Sequence, residues 1–242
     1  MKGGNMVEAA VSEQLRANYQ DYYEDGDSEW RRLSAVAKAD NIVSLCRDLP
    51  RRSILEVGAG EGSILKRLSE LNFGEAFYAL EISPSGVEAI RNKGIARLAE
   101  CEAFDGYHVP YDNDKFDIVI LSHVVEHVEH PRQLLYEASR VAKYVFVEVP
   151  LEDTVRLRRD FVFDKVGHIN FYSPKTIRLL MQSSNLRVLN QLVTNPSSGA
   201  YTYNDGNRGL ISYYVKETLL KVWPAVATEI FTYHSALVCE KA

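Results

Sequence analysis

The chain of 242 residues is 46% apolar and 25% charged, with a net charge of −5. That suffices to bury one good core, near the upper limit for a single domain, and the acidic balance disfavours a nucleic-acid backbone as partner. No run approaches the ~20 apolar residues that span a bilayer, and residues 1–6 carry no apolar stretch of a signal peptide, so a cytoplasmic protein with no membrane partner is expected.

In chain order, residues 8–48 read as helical. Tyr19, Tyr22 and Tyr23 stand beside an acidic turn, Glu24-Asp25-Gly26-Asp27, and Ser28 is placed to cap a helix carrying Trp30, Leu33, Val36 and Ala37 at helical spacing. Strands are predicted near 52–57, 76–82, 96–103, 116–122 and 143–149, alternating with helices near 62–71, 84–93 and 130–142. Such alternation means βαβ units, hence an α/β fold with a doubly wound, mostly parallel sheet and ligands at the carboxyl ends of its strands. Arg156, Arg158, Arg159 and Lys165 are interrupted by Asp160 and Asp164, and read as a solvated face of mixed charge.

Ser173-Pro174 opens a further helix, with serine as N-cap and proline in the first turn, running to about Ser184. Strands follow near 186–193 and 229–239. Between them lie a polar loop, Asn195-Pro196-Ser197-Ser198-Gly199, and an apolar segment from Gly209 to Trp223, read as a helix or helical pair over the ligand edge of the sheet. Its aromatic face suits a substrate lid, a homodimer surface through 209–223, or core packing. Cys46, Cys101 and Cys239 are odd in number and lack metal-ligand spacing, which predicts buried thiols.

The most specific signal is Ser53-Ile54-Leu55-Glu56-Val57-Gly58-Ala59-Gly60-Glu61-Gly62-Ser63. An apolar strand ends in an acid, passes through a glycine turn, and leaves as a helix whose free N–H groups point back at a ligand. A second acid, Glu81, closes the next strand 21 residues after Gly60, the offset used to grip ribose hydroxyls. A dinucleotide fingerprint reads G-x-G-x-x-G, whereas the third glycine here comes one residue early, at Gly62. A carboxylate at Glu56 would also repel a pyrophosphate. S-adenosylmethionine carries an ammonium, a sulfonium and no phosphate, so the same carboxylate becomes favourable, and a nicotinamide oxidoreductase is the poorer reading.

The acid-x-Gly-x-Gly-x-Gly run resembles motif I of the class I S-adenosylmethionine-dependent methyltransferases, and the resemblance covers roughly residues 50–190. Phe104-Asp105-Gly106-Tyr107 and the following residues look like that family's stretch after the third strand, and the run from Lys115 through Ser122-His123-Val124-Val125-Glu126-His127 looks like its fourth strand and turn. The resemblance implies a Rossmann-like seven-stranded sheet ending in an antiparallel pair. It also implies S-adenosylmethionine as cofactor, with S-adenosylhomocysteine as product. By position, Gly58 and Gly60 would hold the methionine portion, with Glu56 fixing the turn or meeting the ammonium. Glu81 would take the ribose diol, Ile82 would pack on adenine, and Asp105 and Gly106 would hold its edge. The main chain at Leu121, Ser122 and His123 would lie beside the sulfonium. The expected organisation is one domain, 1–242, with a helical cap (1–50), a cofactor-binding core (51–150) and a substrate-side portion (151–242) bearing an insertion at 195–228.

Methyl transfer from a sulfonium is an in-line displacement that mainly requires alignment. A hydroxyl acceptor also needs a base, and histidine serves near neutral pH. His123 directly follows the fourth strand, His127 is four residues on along a presumed helix face, and His168 lies on a loop after the fifth strand. His123 and His168 are the candidate catalytic residues, while His108, His130 and His234 read as surface or packing residues. His123, Glu126, His127 and His168 also look like the metal-binding pattern of the small-RNA 3′-end methyltransferases, except that the pattern begins with glutamate. No metal is the expectation. The function expected is methyl transfer to oxygen on a small molecule or saccharide; the alternatives are a metal-assisted 2′-O-type transferase and a nucleotide-binding module without chemistry.

Overall fold

The computed structural model describes residues 28–159 and 167–242. Helix α1 is Ser28–Cys46, followed by strand β1 (Ser53–Val57), α2 (Ser63–Glu70), β2 (Ala76–Glu81), α3 (Pro84–Asn92), β3 (Leu98–Ala103), β4 (Phe116–Ser122), α4 (Pro131–Val141) and β5 (Ala142–Pro150). The remainder comprises α5 (Val155–Arg159), α6 (Pro174–Gln182), β6 (Leu186–Thr194), α7 (Ser198–Val222), α8 (Pro224–Ile230) and β7 (His234–Lys241). Seven strands form one sheet in the order β3-β2-β1-β4-β5-β7-β6. All neighbours are parallel except β7, which runs antiparallel between β5 and β6.

Side-chain alternation along the central strands divides the core in two. Ile54, Ile118, Ile120 and Phe146 face one side, packing with Ala39 and Ile42 of α1 and Leu65 and Leu68 of α2. Leu55, Val119, Leu121 and Val147 face the other, against Leu134 and Ala138 of α4 and Ile177 and Met181 of α6. Burial on both faces explains why β1, β4 and β5 read as nearly continuous apolar runs. All three cysteines are buried free thiols. Among the described residues, no helix is long and apolar enough to cross a membrane.

Local chemistry sets the element boundaries. Ser173 caps α6 through a reciprocal capping box with Thr176. Ser83 caps α3 by accepting from Gly86 N, and Ser197 caps α7 by accepting from Ala200 N, so the polar loop expected at 195–199 closes as a helix start. The apolar insertion is a helical pair: the backbone breaks at Gly206 (φ 57°, ψ −136°). At Gly209 an added Cβ would lie 2.0 Å from the Tyr201 carbonyl oxygen, so only glycine permits the two halves to pack.

Three expectations need correction. The last strand begins at His234, not near 229, because Pro224 starts α8 through Ile230. Residues 124–127 form a single turn, closed by His127 N–H donating to Val124 O, so His123 and His127 share no helix face. His234, expected at the surface or in packing, stands in the site described below. Tyr19, Tyr22, Tyr23, Lys165 and the side chain of Ser28 lie outside the described residues.

Candidate functional site

The carboxyl edge of the parallel strands gathers the site. The glycine turn after β1 holds Gly58, Gly60 and Gly62 at φ of 71°, 59° and 79°, and Gly62 caps α2 from the left-handed region. Glu81 at the tip of β2 fastens this turn: its carboxylate accepts from Gly60 N at 2.8 Å and from Ser83 N at 3.1 Å. Burial nevertheless pushes its pKa up to about 7. Glu56 is buried, and its Oε2 has no hydrogen-bond partner. Burial pushes Glu56 up to about 8, Lys38 opposing the shift and Glu81 reinforcing it.

Helix α1 crosses this edge. Arg31 reaches Glu61 at 3.7 Å, and Lys93 approaches the same carboxylate at 2.7 Å. A cleft of about 420 Å³ runs between α1 and the strand ends, lined by Glu56, Gly58, Gly60 and Ser122 at one end and by His123, His127, Glu152, His168 and His234 at the other. Glu81 ends β2, Ile82 follows it, and Asp105 and Gly106 lie in the loop after β3; none of the four is among the residues lining the cleft. Asp105 Oδ1 accepts from Tyr107 N and His108 N, fixing the loop after β3. A second chamber of about 270 Å³ adjoins the cleft, bounded by α1 and the first half of α7, and shares Trp30, Ser34, Lys38, His123 and His234 with it.

The histidines fall into two groups. In the first, His168 Nδ1 lies 2.7 Å from Glu152 Oε2, and its ring packs 4.7 Å from that of His127. Glu126 joins them, fully buried, with neither carboxylate oxygen hydrogen-bonded. Burial lowers the His127 pKa, with Glu126 opposing and His168 reinforcing. In the second, His123 and His234 flank Glu148 on β5, with Nε2 of His123 3.5 Å and Nδ1 of His234 3.2 Å from Glu148 Oε1. Asn41 of α1 donates to Glu148 Oε2 at 2.9 Å. Burial opposes ionisation of Glu148, but the two imidazoles outweigh it and hold its pKa far below the ordinary carboxylate range.

The four residues that look like a metal pattern in the sequence are therefore divided. Glu126, His127 and His168 share one group, and His123 joins Glu148 and His234 in the other, although His123 Nδ1 remains 3.3 Å from Glu126 Oε1. His130 is exposed, and His108 lies 3.4 Å from Glu137 at the surface, as expected. Sequence reasoning missed Lys38, Asn41, Glu148, Glu152 and His234. For His234 a signal existed: a strand antiparallel to β5 must begin where β5 ends, and His234 pairs with Pro150.

The model of a family described as "Methyltransferase domain" matches residues 29–191. An uncharacterised protein of Methanocaldococcus jannaschii is 25% identical over 126 residues, which are 52% of this chain and 57% of that one. An uncharacterised methyltransferase of Mycobacterium tuberculosis is 32% identical over 92 residues, 38% of this chain and 35% of that one. The matched segment thus spans little more than half of the first relative and about a third of the second. Among solved structures, a geranyl diphosphate C-methyltransferase from Streptomyces coelicolor, in complex with Mg2+, geranyl-S-thiolodiphosphate and S-adenosyl-L-homocysteine, superposes with a TM-score of 0.68. It is 10% identical, covering 97% of this chain and 100% of that one. At that identity the likeness concerns the fold.

Proposed function

We propose, for a chain that belongs to the methyltransferase-domain family and takes S-adenosylmethionine as its methyl donor, that the methyl group goes to an oxygen of a small molecule or saccharide. When bound, the donor supplies a methyl group already activated on a sulfonium. The residues present suit it: a left-handed glycine turn offers bare main chain, and the buried Glu56, whose Oε2 has no hydrogen-bond partner, lies at the cleft wall where an ammonium is wanted. Glu81 serves the ribose hydroxyls, Ile82 the adenine face, Asp105 and Gly106 its edge, and the main chain at Ser122 the sulfur side.

The observation that carries the oxygen reading is the His168–Glu152 pair on the cleft wall. A carboxylate 2.7 Å from Nδ1 fixes the tautomer that leaves Nε2 as acceptor, the arrangement of a general base. His168 takes the hydroxyl proton as the oxygen attacks the methyl carbon. His123 has ring nitrogens facing Glu126 and Glu148, and is assigned the shaping of the acceptor wall. The three buried free thiols suit a reducing compartment such as the cytoplasm.

A methyl-labelled donor offered to a fractionated metabolite extract is expected to place label on oxygen; label found on carbon or nitrogen overturns that assignment. With the acceptor so identified, His168→Asn is expected to cut turnover by ~10²–10⁴-fold. It should also remove the acidic limb of the pH–rate profile while leaving S-adenosylhomocysteine affinity unchanged. Undiminished turnover would remove His168 from the mechanism.

A further inference from the structure

We infer that His123, Glu148 and His234 form a binding site for one divalent ion of the zinc class, on the wall between the cleft and the second chamber. Three strand ends deliver the ligand atoms. His123 follows β4, Glu148 sits near the end of β5, and His234 begins β7, and parallel and antiparallel pairing bring them to one edge of the sheet. The candidate atoms all lie within 4.8 Å of one another, and Glu148 Oε1 is 3.5 Å from His123 Nε2 and 3.2 Å from His234 Nδ1. Tetrahedral zinc, with bonds of about 2.0–2.2 Å, spaces its ligand atoms roughly 3.3–3.5 Å apart. The two distances to Glu148 Oε1 already have nearly that spacing.

Four further observations favour an ion over a simple hydrogen-bond network. First, His123 Nε2 is buried with no hydrogen-bond partner, although it faces the Glu148 carboxylate. Second, His123 holds a left-handed backbone, φ 58°, kept by its N–H donating to Glu148 O at 2.8 Å. A non-glycine residue in that region marks a constraint imposed by the surroundings.

Third, the outer partners match those of metal-bound ligands. Glu126 Oε1 lies 3.3 Å from His123 Nδ1, and Asn41 holds the other Glu148 oxygen while donating also to Thr194 at 3.0 Å. Fourth, the buried carboxylates Glu126 and Glu148 share the field of the Lys38 ammonium, an excess of negative charge that a dication would offset. Two imidazoles and one carboxylate, with a position left open, are the ligand set of catalytic zinc sites and suit magnesium poorly. His123 and His234 line both cavities, so an ion between them is within reach of an acceptor oxygen.

The site goes beyond the transfer reading and is tested without an acceptor. Tag-free full-length protein, stripped with chelator, is titrated with Co2+ and followed by visible d–d absorption, with Zn2+ as competitor. S-adenosylhomocysteine affinity is measured on the same preparation. The expected result is a single tetrahedral Co2+ spectrum, displaced by Zn2+. Its affinity should fall at least tenfold in His234→Gln and in His123→Gln, each checked by circular dichroism, and persist in His168→Gln. Failure of wild type to bind Co2+ while S-adenosylhomocysteine still binds overturns this inference alone. Binding lost in His168→Gln but kept in His234→Gln assigns the ion to Glu126, His127 and His168, and equally overturns it.

Discussion

Glu56 carries a pH signature that follows from its burial. Its folded pKa, near 8, lies above its unfolded value, so the native state binds the extra proton between the ordinary carboxylate range and about 8. Stability from this group is therefore fully present below the unfolded pKa and is lost as pH rises towards the folded one. A ligand ammonium beside Glu56 favours its ionised form and expels that proton. S-adenosylhomocysteine binding near pH 7 is expected to release a proton, visible as a buffer-dependent calorimetric enthalpy, and to tighten as pH rises towards 8. Glu56→Gln should abolish both effects. A proton balance indifferent to that substitution would separate Glu56 from the ammonium.

At the scale of elements, the helical pair of α7 rests on one glycine. Any side chain at 209 meets the Tyr201 carbonyl, which belongs to backbone and cannot swing away, so Gly209→Ala should destabilise by about 1–3 kcal/mol or more. The two halves must separate to admit the methyl group. Thermal melting checks the loss. Retained S-adenosylhomocysteine affinity would show the damage confined to the chamber side, because the glycine turn and Glu81 lie on β1 and β2, away from α7. The sequence told that this stretch was helical, through its apolar spacing, but not where it folds back: Gly206 and Gly209 are intelligible only once their backbone and neighbours are known. Similarly, the last strand is expected near 229, but Pro224 in the first turn of α8 carries helix through Ile230 and delays the strand to His234.

Across the whole molecule, the arrangement of the glycine turn was legible in the sequence and that of the histidine clusters was not. Glu56, Gly58, Gly60 and Glu81 are local: one turn and one strand later, their spacing already implies their arrangement. Glu148, Asn41 and His234 are brought together from three distant stretches, and nothing in a strand such as Val145-Phe146-Val147-Glu148-Val149 says which partner its acid will find. The insertion also leaves Ile211, Tyr214 and Trp223 at 65%, 60% and 62% exposure, and a homodimer through 209–223, one of the three uses the sequence suggests for this face, would cover them. Sedimentation equilibrium is expected to give a dimer that Tyr214→Glu dissociates. A monomer at all working concentrations would count against that surface.

The position of β7 also bears on how the chain is made. Strand β6 has β7 as its one neighbour in the sheet, and β7 enters between β5 and β6. During synthesis β6 therefore leaves the ribosome with both edges open, and stays so until residues 234–241 follow. The five strands that carry the glycine turn can pair in the order they emerge, whereas His234 comes to Glu148 only with the final insertion. A nascent chain halted before β7 would offer an unpaired strand to its neighbours, so aggregation during translation is the hazard this topology carries.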